Sequence, residues 1–333
     1  MNPPAGLRVL LLGATGTIGQ ATAQALRRQG HSVVCLVRPR SGVGGRLDAS
    51  AAAALLPGCT VRTGDPTRSG SIVRDGMAGE RFDALVTCMA SRTGTPADAR
   101  AIDLGATLQA LQAARERDVP QMVMLSALCV QKPLLAFQQA KLAAEKALIE
   151  SGLNHSIVRP TAFFKSLSGQ VERVRRGQPF LLMGDGRLTA CKPVSDRDLG
   201  DFIAGCLTDP DRHRRVLPIG GPGPAITPRE QGERLFELFG QKPRFRQVPV
   251  AVLDGVIGAL RLASRFRPSL ADKAELASIG RYYGTESMLV WDAVNGRYDE
   301  AATPSTGSDT LWDHYAALAR GEALPERGDH AVF

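Results

Sequence analysis

Three glycines, Gly13, Gly16 and Gly19, stand at regular intervals between an unbroken apolar run, LRVLLLG at 7–13, and an amphipathic stretch, TIGQATAQALRRQG at 17–30. A short apolar run without alternation is expected of a parallel strand buried on both faces. The stretch after it spaces its apolar positions three and four apart and ends at Gly30, as a helix does. Gly13 lets the chain leave the strand sharply. Gly16 lets backbone N–H groups close on an anion, and Gly19 lets the helix pack on the sheet with its N-terminus aimed at that anion. Thr15, Thr17 and Ile18 lie between the glycines and share the cradle. In this context the motif predicts a site for the pyrophosphate of a dinucleotide.

The same alternation continues down the chain. HSVVCLVR (31–38), CTVRTGD (59–65), FDALVTC (82–88), QMVMLSA (121–127) and NHSIVRP (154–160) read as further strands, with helical patterns notably over 97–118 and 134–152. Repeated βα units predict an α/β fold, a doubly wound, Rossmann-like parallel sheet with right-handed crossovers. The pattern breaks after Pro160. GDGRLTACKPVSDRDLGDFIAGCL reads as a loop, a short strand and a helix capped near Ser195, and Thr227 caps a helix with Pro228 at its first position. Residues 1–160 are expected to form the dinucleotide-binding domain. Residues 161–333 are expected to form mostly a smaller substrate lobe, with some elements returning to the sheet. The tail after Gly321 is expected to be poorly ordered.

The end of the second strand selects the cofactor. A site for NAD usually places Asp or Glu there for the ribose hydroxyls. This chain has LVRPR, so Arg38, and less so Arg40, stands where a 2′-phosphate would lie, and a guanidinium fork suits phosphate. The cofactor expected is NADPH. Asp65, at the end of the third strand, either meets the adenine edge or caps the next turn.

Taken together, GATGTIG, the arginine after the second strand, TGD and a helix carrying Lys141 resemble the short-chain dehydrogenase/reductase superfamily, in its atypical or extended branch. That resemblance covers about residues 7–160. Narrower stretches, CMASRTG (88–94), AIDLGATLQAL (101–111), PLLAFQQAKLAAE (133–145), IVRPTAFFKSLSGQ (157–170) and KPVSDRDL (192–199), resemble the NADPH-dependent divinyl chlorophyllide a 8-vinyl reductases of phototrophs. The resemblance implies reduction of the C8 vinyl group of a magnesium tetrapyrrole to ethyl. It also implies that Lys141 bonds the nicotinamide ribose and that Ser91 and the Thr87–Ala90 strand end flank the middle of the cofactor. Ser126 would sit beside the nicotinamide, or be a satisfied strand-end hydroxyl, and Pro160 with Thr161 and Ala162 would line the carboxamide side.

Four residues before Lys141, where many superfamily members carry a proton-donating Tyr, this chain has Phe137, as does the narrower family. Carbonyl reduction builds charge on one oxygen and gains strongly from a positioned acid. Hydride added to the terminal carbon of a vinyl group leaves charge that spreads over the conjugated macrocycle, so orientation can carry more of the catalysis. Phe137 is then an apolar wall for a flat ring. The proton for the inner carbon comes from Lys165, directly or through water, or from bulk water. Lys165 could equally bind the substrate's propionate or be a solvated lysine. Two further readings remain open: a non-enzymatic NADPH-binding sensor or assembly factor, and a different atypical reductase or epimerase.

The 333 residues carry 41 Lys and Arg against 33 Asp and Glu. An excess of that size favours anionic partners, among them a phosphorylated cofactor, a carboxylate-bearing substrate or an anionic membrane, or simply gives a solvated basic surface. Nothing suggests base stacking or a nucleic-acid stripe. The six cysteines form no CxxC and no zinc spacing, so no metal site is expected; Cys35, Cys88 and Cys129 read as buried thiols of a reducing cytoplasm. No signal peptide or spanning helix is evident. VPVAVLDGVIGALRLASRFR (248–267) puts Val252, Leu253, Val256, Ile257 and Leu260 on one helical face flanked by arginines. That face either packs on the lobe or lines a macrocycle pocket, or else dips into an anionic membrane. Phe163, Phe164, Phe180, Tyr282, Tyr283 and Trp291 are candidate pocket walls, with core packing the commoner role of such residues.

Overall fold

A computed structural model describes residues 6–42 and 45–322. The apolar runs form strands β1 (Arg8–Leu12), β2 (Ser32–Val37), β3 (Thr60–Thr63), β4 (Ala84–Thr87), β5 (Gln121–Leu125) and β6 (Asn154–Pro160). Five later strands follow among the described residues, β7 (Phe180–Met183), β8 (Arg215–Ile219), β9 (Phe245–Val248) and the hairpin pair β10 (Val290–Asp292) and β11 (Arg297–Asp299). One sheet has the order β3-β2-β1-β4-β5-β6-β8, and every neighbouring pair in it is parallel. Strand order reverses between β1 and β4, which puts the crevice for a ligand at the C-terminal ends of those two strands.

Both faces of the sheet are covered, which is why its central strands are apolar without alternation. One face packs on the helices Thr17–Arg28, Ala49–Ala54 and Asp196–Gly205 through Leu11, Leu26, Val33 and Ile203. The other packs on the segments 72–77, 99–116 and 136–150 through Leu10, Leu85, Met122 and Leu148. The helix Asp196–Gly205 starts at Ser195, whose Oγ accepts from Asp198 N at 3.0 Å. It lies so close to Thr17–Arg28 that a Cβ on Gly200 would sit 2.7 Å from the Ala21 carbonyl carbon.

Three features depart from the periodicity. The stretch read as one helix over 97–118 winds as α over Pro96–Asp98, as π over Ala99–Ala106 and as α again over Thr107–Glu116. The short strand expected before Ser195 is reduced to isolated bridges at Cys191 and Val194. β8 was not anticipated from the sequence: it is an edge strand, mostly part-buried, and tolerates Pro218 because no strand of the described residues pairs along its outer side. Thr227 caps Pro228–Leu238 with its side chain on Glu230 N, as expected. The tail after Gly321 falls, apart from Glu322, outside the described residues.

Beyond the sheet, two smaller apolar clusters build the lobe. One gathers Phe164, Phe180, Phe236, Leu311 and Tyr315. The other joins Leu128 and Cys129, which follow β5, to Ile279, Tyr282 and Met288, with Phe137 and Ala162 packed against it. The lobe therefore sits on the segments that leave the C-terminal ends of β5 and β6. Among the described residues no helix is long and apolar enough to cross a membrane, and no cluster of His, Cys, Asp and Glu could hold a metal ion.

Candidate active site

The glycine turn is built as its sequence requires. Gly13 adopts φ +79°, and a Cβ there would meet the backbone of Cys88 and Met89 at 2.6–2.8 Å. A Cβ on Gly19 would lie 2.1 Å from the Gly13 carbonyl oxygen. Gly16 differs: its nearest neighbour for a Cβ is the Gly13 oxygen at 3.5 Å, an ordinary contact. The packing of the protein itself does not require a glycine at 16. Gly16 opens the helix with no side-chain cap, and no acidic residue occupies the first turn. Gln20 Nε2 donates to Thr15 O at 3.0 Å and pins the loop. Thr15, Thr17 and Ile18 thus stand around a helix N-terminus open to an anion, and the residues present fit a dinucleotide pyrophosphate.

Arg38 and Arg40 are exposed just past β2, the side of the crevice where an adenosine ribose would lie. Asp65 is engaged locally. Its Oδ1 accepts from Thr67 N at 3.0 Å and Thr67 Oγ1 at 2.7 Å, the turn-capping arrangement.

Across the switch point, the helix Ala136–Glu150 presents Phe137 and Lys141 one turn apart. Its N-terminus is fixed by Gln138 Oε1, which accepts from Leu134 N and Leu135 N at 2.8 and 3.0 Å, and by Glu275 Oε1, which accepts from Ala136 N at 3.0 Å. Lys141 is buried, and its Nζ lies 2.9 Å from Asp103 Oδ1, whose side chain is fully buried. The same oxygen accepts from Ser91 N at 3.2 Å. Asp103 sits in the π-wound segment and has no counterpart among the residues assigned roles from the sequence. The available signal was a lone carboxylate in the small and apolar stretch AIDLGAT. It ties the loop after β4 to the lysine helix.

Ser126 is placed by β5, but its hydroxyl donates to Glu145, and Glu145 also pairs with Arg159. The Ser126 hydroxyl is thus a satisfied strand-end group in a buried network. Pro160 and Thr161 are buried at the end of β6, with Thr161 N donating to Ile219 O at 2.9 Å and Ala162 O accepting from Val194 N at 3.0 Å. Phe137 packs with Leu128, Ile279 and Tyr282, so the wall beside Lys141 is hydrocarbon. Lys165, on the short helix Phe164–Leu167, is half-buried. Burial holds the Asp196 carboxyl above its usual range, and the positive charge of Lys165 works against that shift.

The aromatic candidates divide. Phe164 and Phe180 are core of the outer lobe, and Phe163 packs against the sheet core. Trp291 meets Tyr298 edge to face and receives Lys132 Nζ at 4.4 Å over its ring. Tyr282 packs beside Phe137, with its hydroxyl donating to Cys129 O at 2.8 Å, while Tyr283 is 40% exposed. All six cysteines are free, and burial pushes the Cys88 and Cys191 thiols up to about 12, as inert core thiols.

A family model described as NAD(P)H-binding matches residues 13–210. The Oryza sativa subsp. indica protein called divinyl chlorophyllide a 8-vinyl-reductase, chloroplastic, is 47% identical over 99% of this chain and 83% of its own length. The Cucumis sativus protein of the same name is 45% identical over 99% of this chain and 80% of its own length. Among solved structures, the NADPH complex of the NADPH-dependent quinone oxidoreductase QOR2 from Escherichia coli matches with a TM-score of 0.65, covering 93% of this chain and 99% of that one. At 17% identity it speaks for the fold alone. The chain belongs to the NAD(P)H-binding family and, within it, to the divinyl chlorophyllide a 8-vinyl-reductases.

Proposed function

We propose that this protein uses NADPH to reduce the C8 vinyl group of 3,8-divinyl chlorophyllide a, or of a close magnesium tetrapyrrole, to ethyl. The observation that carries the reading is the 47% identity, along nearly the whole chain, to a reductase named for that reaction. The site supports it. When bound, NADPH supplies the hydride. The turn at Gly13–Gly19, with Arg38, holds its phosphates, and Asp65, Ser91 and Pro160 lie along its length. Lys141, held by Asp103, orients the nicotinamide ribose. The wall of Phe137, Leu128 and Tyr282 offers hydrocarbon to a flat ring and keeps water from the reacting carbons.

Hydride goes to the terminal vinyl carbon, and the resulting charge spreads into the macrocycle. Lys165 delivers the proton to the inner carbon, directly or through water, or anchors the propionate of the substrate. Lys165→Met should lower turnover about a hundredfold or more where the lysine delivers the proton, or weaken substrate binding about tenfold where it anchors the propionate. Unchanged kcat and KM would remove it from both roles. The reading as a whole is tested by absorbance. Purified protein with divinyl chlorophyllide a and NADPH should shift the Soret band to the blue, and NADPH deuterated at C4 should label the terminal carbon of the new ethyl group. Bound NADPH without a Soret shift would favour a sensor or assembly role.

We further read the helices Val250–Ser264 and Leu270–Thr285 as a membrane-contacting hairpin. The first buries only Ile257; Val252, Leu262 and Phe266 are 56%, 59% and 83% exposed. From Lys242 to Arg281 the basic residues far outnumber the acids Asp254, Asp272 and Glu275. An apolar ridge with a cationic margin fits the interface of an anionic bilayer.

A further inference from the structure

Arg92, which no reading above assigns, donates from its guanidinium to the carbonyl of Gly42. Arg92 follows β4 and Gly42 follows β2, while β1 lies between those two strands. The bond therefore joins loops that leave the sheet on either side of β1, whose C-terminal end carries the turn Gly13–Gly16. The loop that carries Arg92 runs along that turn, since the backbone of Cys88 and Met89 is what forbids a Cβ on Gly13. Ser41 and Leu47 exchange backbone hydrogen bonds of 2.8 and 3.0 Å, and Gly45 N donates to the same Gly42 carbonyl at 3.2 Å. A dinucleotide seated at the switch point runs its phosphates past the turn Gly13–Gly16. A guanidinium has five N–H donors in a planar fork, enough to keep a carbonyl and a phosphate oxygen together.

We propose that Arg92 is a cofactor clamp: it bridges the loops after β4 and β2 across the crevice and donates to a phosphate of bound NADPH. The proposal rests on the NADPH reading above. Its test is equilibrium binding of NADPH and NADH to the full chain, by nucleotide fluorescence, with stopped-flow release, for wild type, Arg92→Ala and Arg92→Gln. Thermal unfolding checks that each variant is folded. Arg92→Ala should weaken NADPH by about tenfold or more, the scale of one charge-assisted hydrogen bond, chiefly through faster release. Arg92→Gln keeps a donor for the Gly42 carbonyl without the charge, and should be weakened as well. If NADH loses as much as NADPH, the clamp grips the pyrophosphate; if NADH is spared, it grips the 2′-phosphate. Affinity equal to or tighter than wild type in Arg92→Ala would overturn the clamp. So would full affinity in Arg92→Gln, which would leave only a loop brace. Wild type that binds neither nucleotide would sink the cofactor reading and the clamp with it, a result distinct from wild-type binding that ignores position 92.

Discussion

Gly16 and Gly19 answer to different neighbours. At Gly19 the obstacle is the protein's own Gly13 carbonyl, 2.1 Å from where a Cβ would be. Gly19→Ala must push the helix Thr17–Arg28 off the turn, and should cost about 1–3 kcal/mol of stability as well as cofactor binding. At Gly16 a methyl group would make only an ordinary contact with the Gly13 oxygen at 3.5 Å, so Gly16→Ala should cost no more than about 1 kcal/mol, the scale of a weakened N-cap, yet bind NADPH about tenfold more weakly, because the methyl occupies the approach of the pyrophosphate. Thermal unfolding beside a nucleotide titration separates the two. Equal losses of binding and stability in both variants would contradict this division. Phe137 shows the same logic from the other side. It sits among Leu128, Ile279 and Tyr282, so a hydroxyl at that position would enter hydrocarbon, where an unpaired polar group is costly.

The segment 96–116 shows where reading a sequence stops. Its apolar spacing predicts one regular helix, and the ends are close to right. The π winding over Ala99–Ala106 leaves no mark in composition or period, because one residue more per turn only changes which side chain faces inward. Asp103 lies in that segment, with its Oδ1 2.9 Å from Lys141 Nζ. The lysine was legible from its motif; its partner was not, because the contact joins residues far apart in the chain. The strands β1–β6 were legible because burial on both faces forces continuous apolar runs, whereas β8, an edge strand containing Pro218, carries no such pattern. Asp103→Asn keeps the shape and removes the charge. Breaking a buried pair in this way should destabilise the protein by about 3 kcal/mol and raise KM for NADPH more than it lowers kcat, because the Asp acts through Lys141. Unchanged stability and KM would show that the pair does not hold the site.

At the scale of the whole molecule, the helix Leu270–Thr285 joins the two surfaces: its Ile279 and Tyr282 share the apolar cluster that Phe137 packs against, and it packs on the helix Val250–Ser264. If the ridge at Val252, Leu262 and Phe266 meets lipid, the protein should float with vesicles containing anionic lipid and stay behind with neutral ones. Phe266→Ser together with Arg265→Glu and Arg267→Glu should abolish flotation while soluble-substrate turnover stays within about twofold, as for surface changes away from the site. Flotation indifferent to lipid charge or to these changes would assign the ridge to another surface.

The seventh strand of the sheet has one more consequence. β8 pairs along β6 from Ser156 to Pro160, yet it is made only when synthesis reaches residues 215–219. Until then a nascent chain that has finished β6 presents the open flank of a parallel sheet, the kind of edge that recruits other strands. The helix Asp196–Gly205, which precedes β8, packs on Thr17–Arg28 from beyond residue 160. Folding of the nucleotide-binding half therefore waits on more than fifty residues beyond its last legible strand. A ribosome stalled between β6 and β8 would hold an unfinished sheet, with every residue of its glycine turn already made.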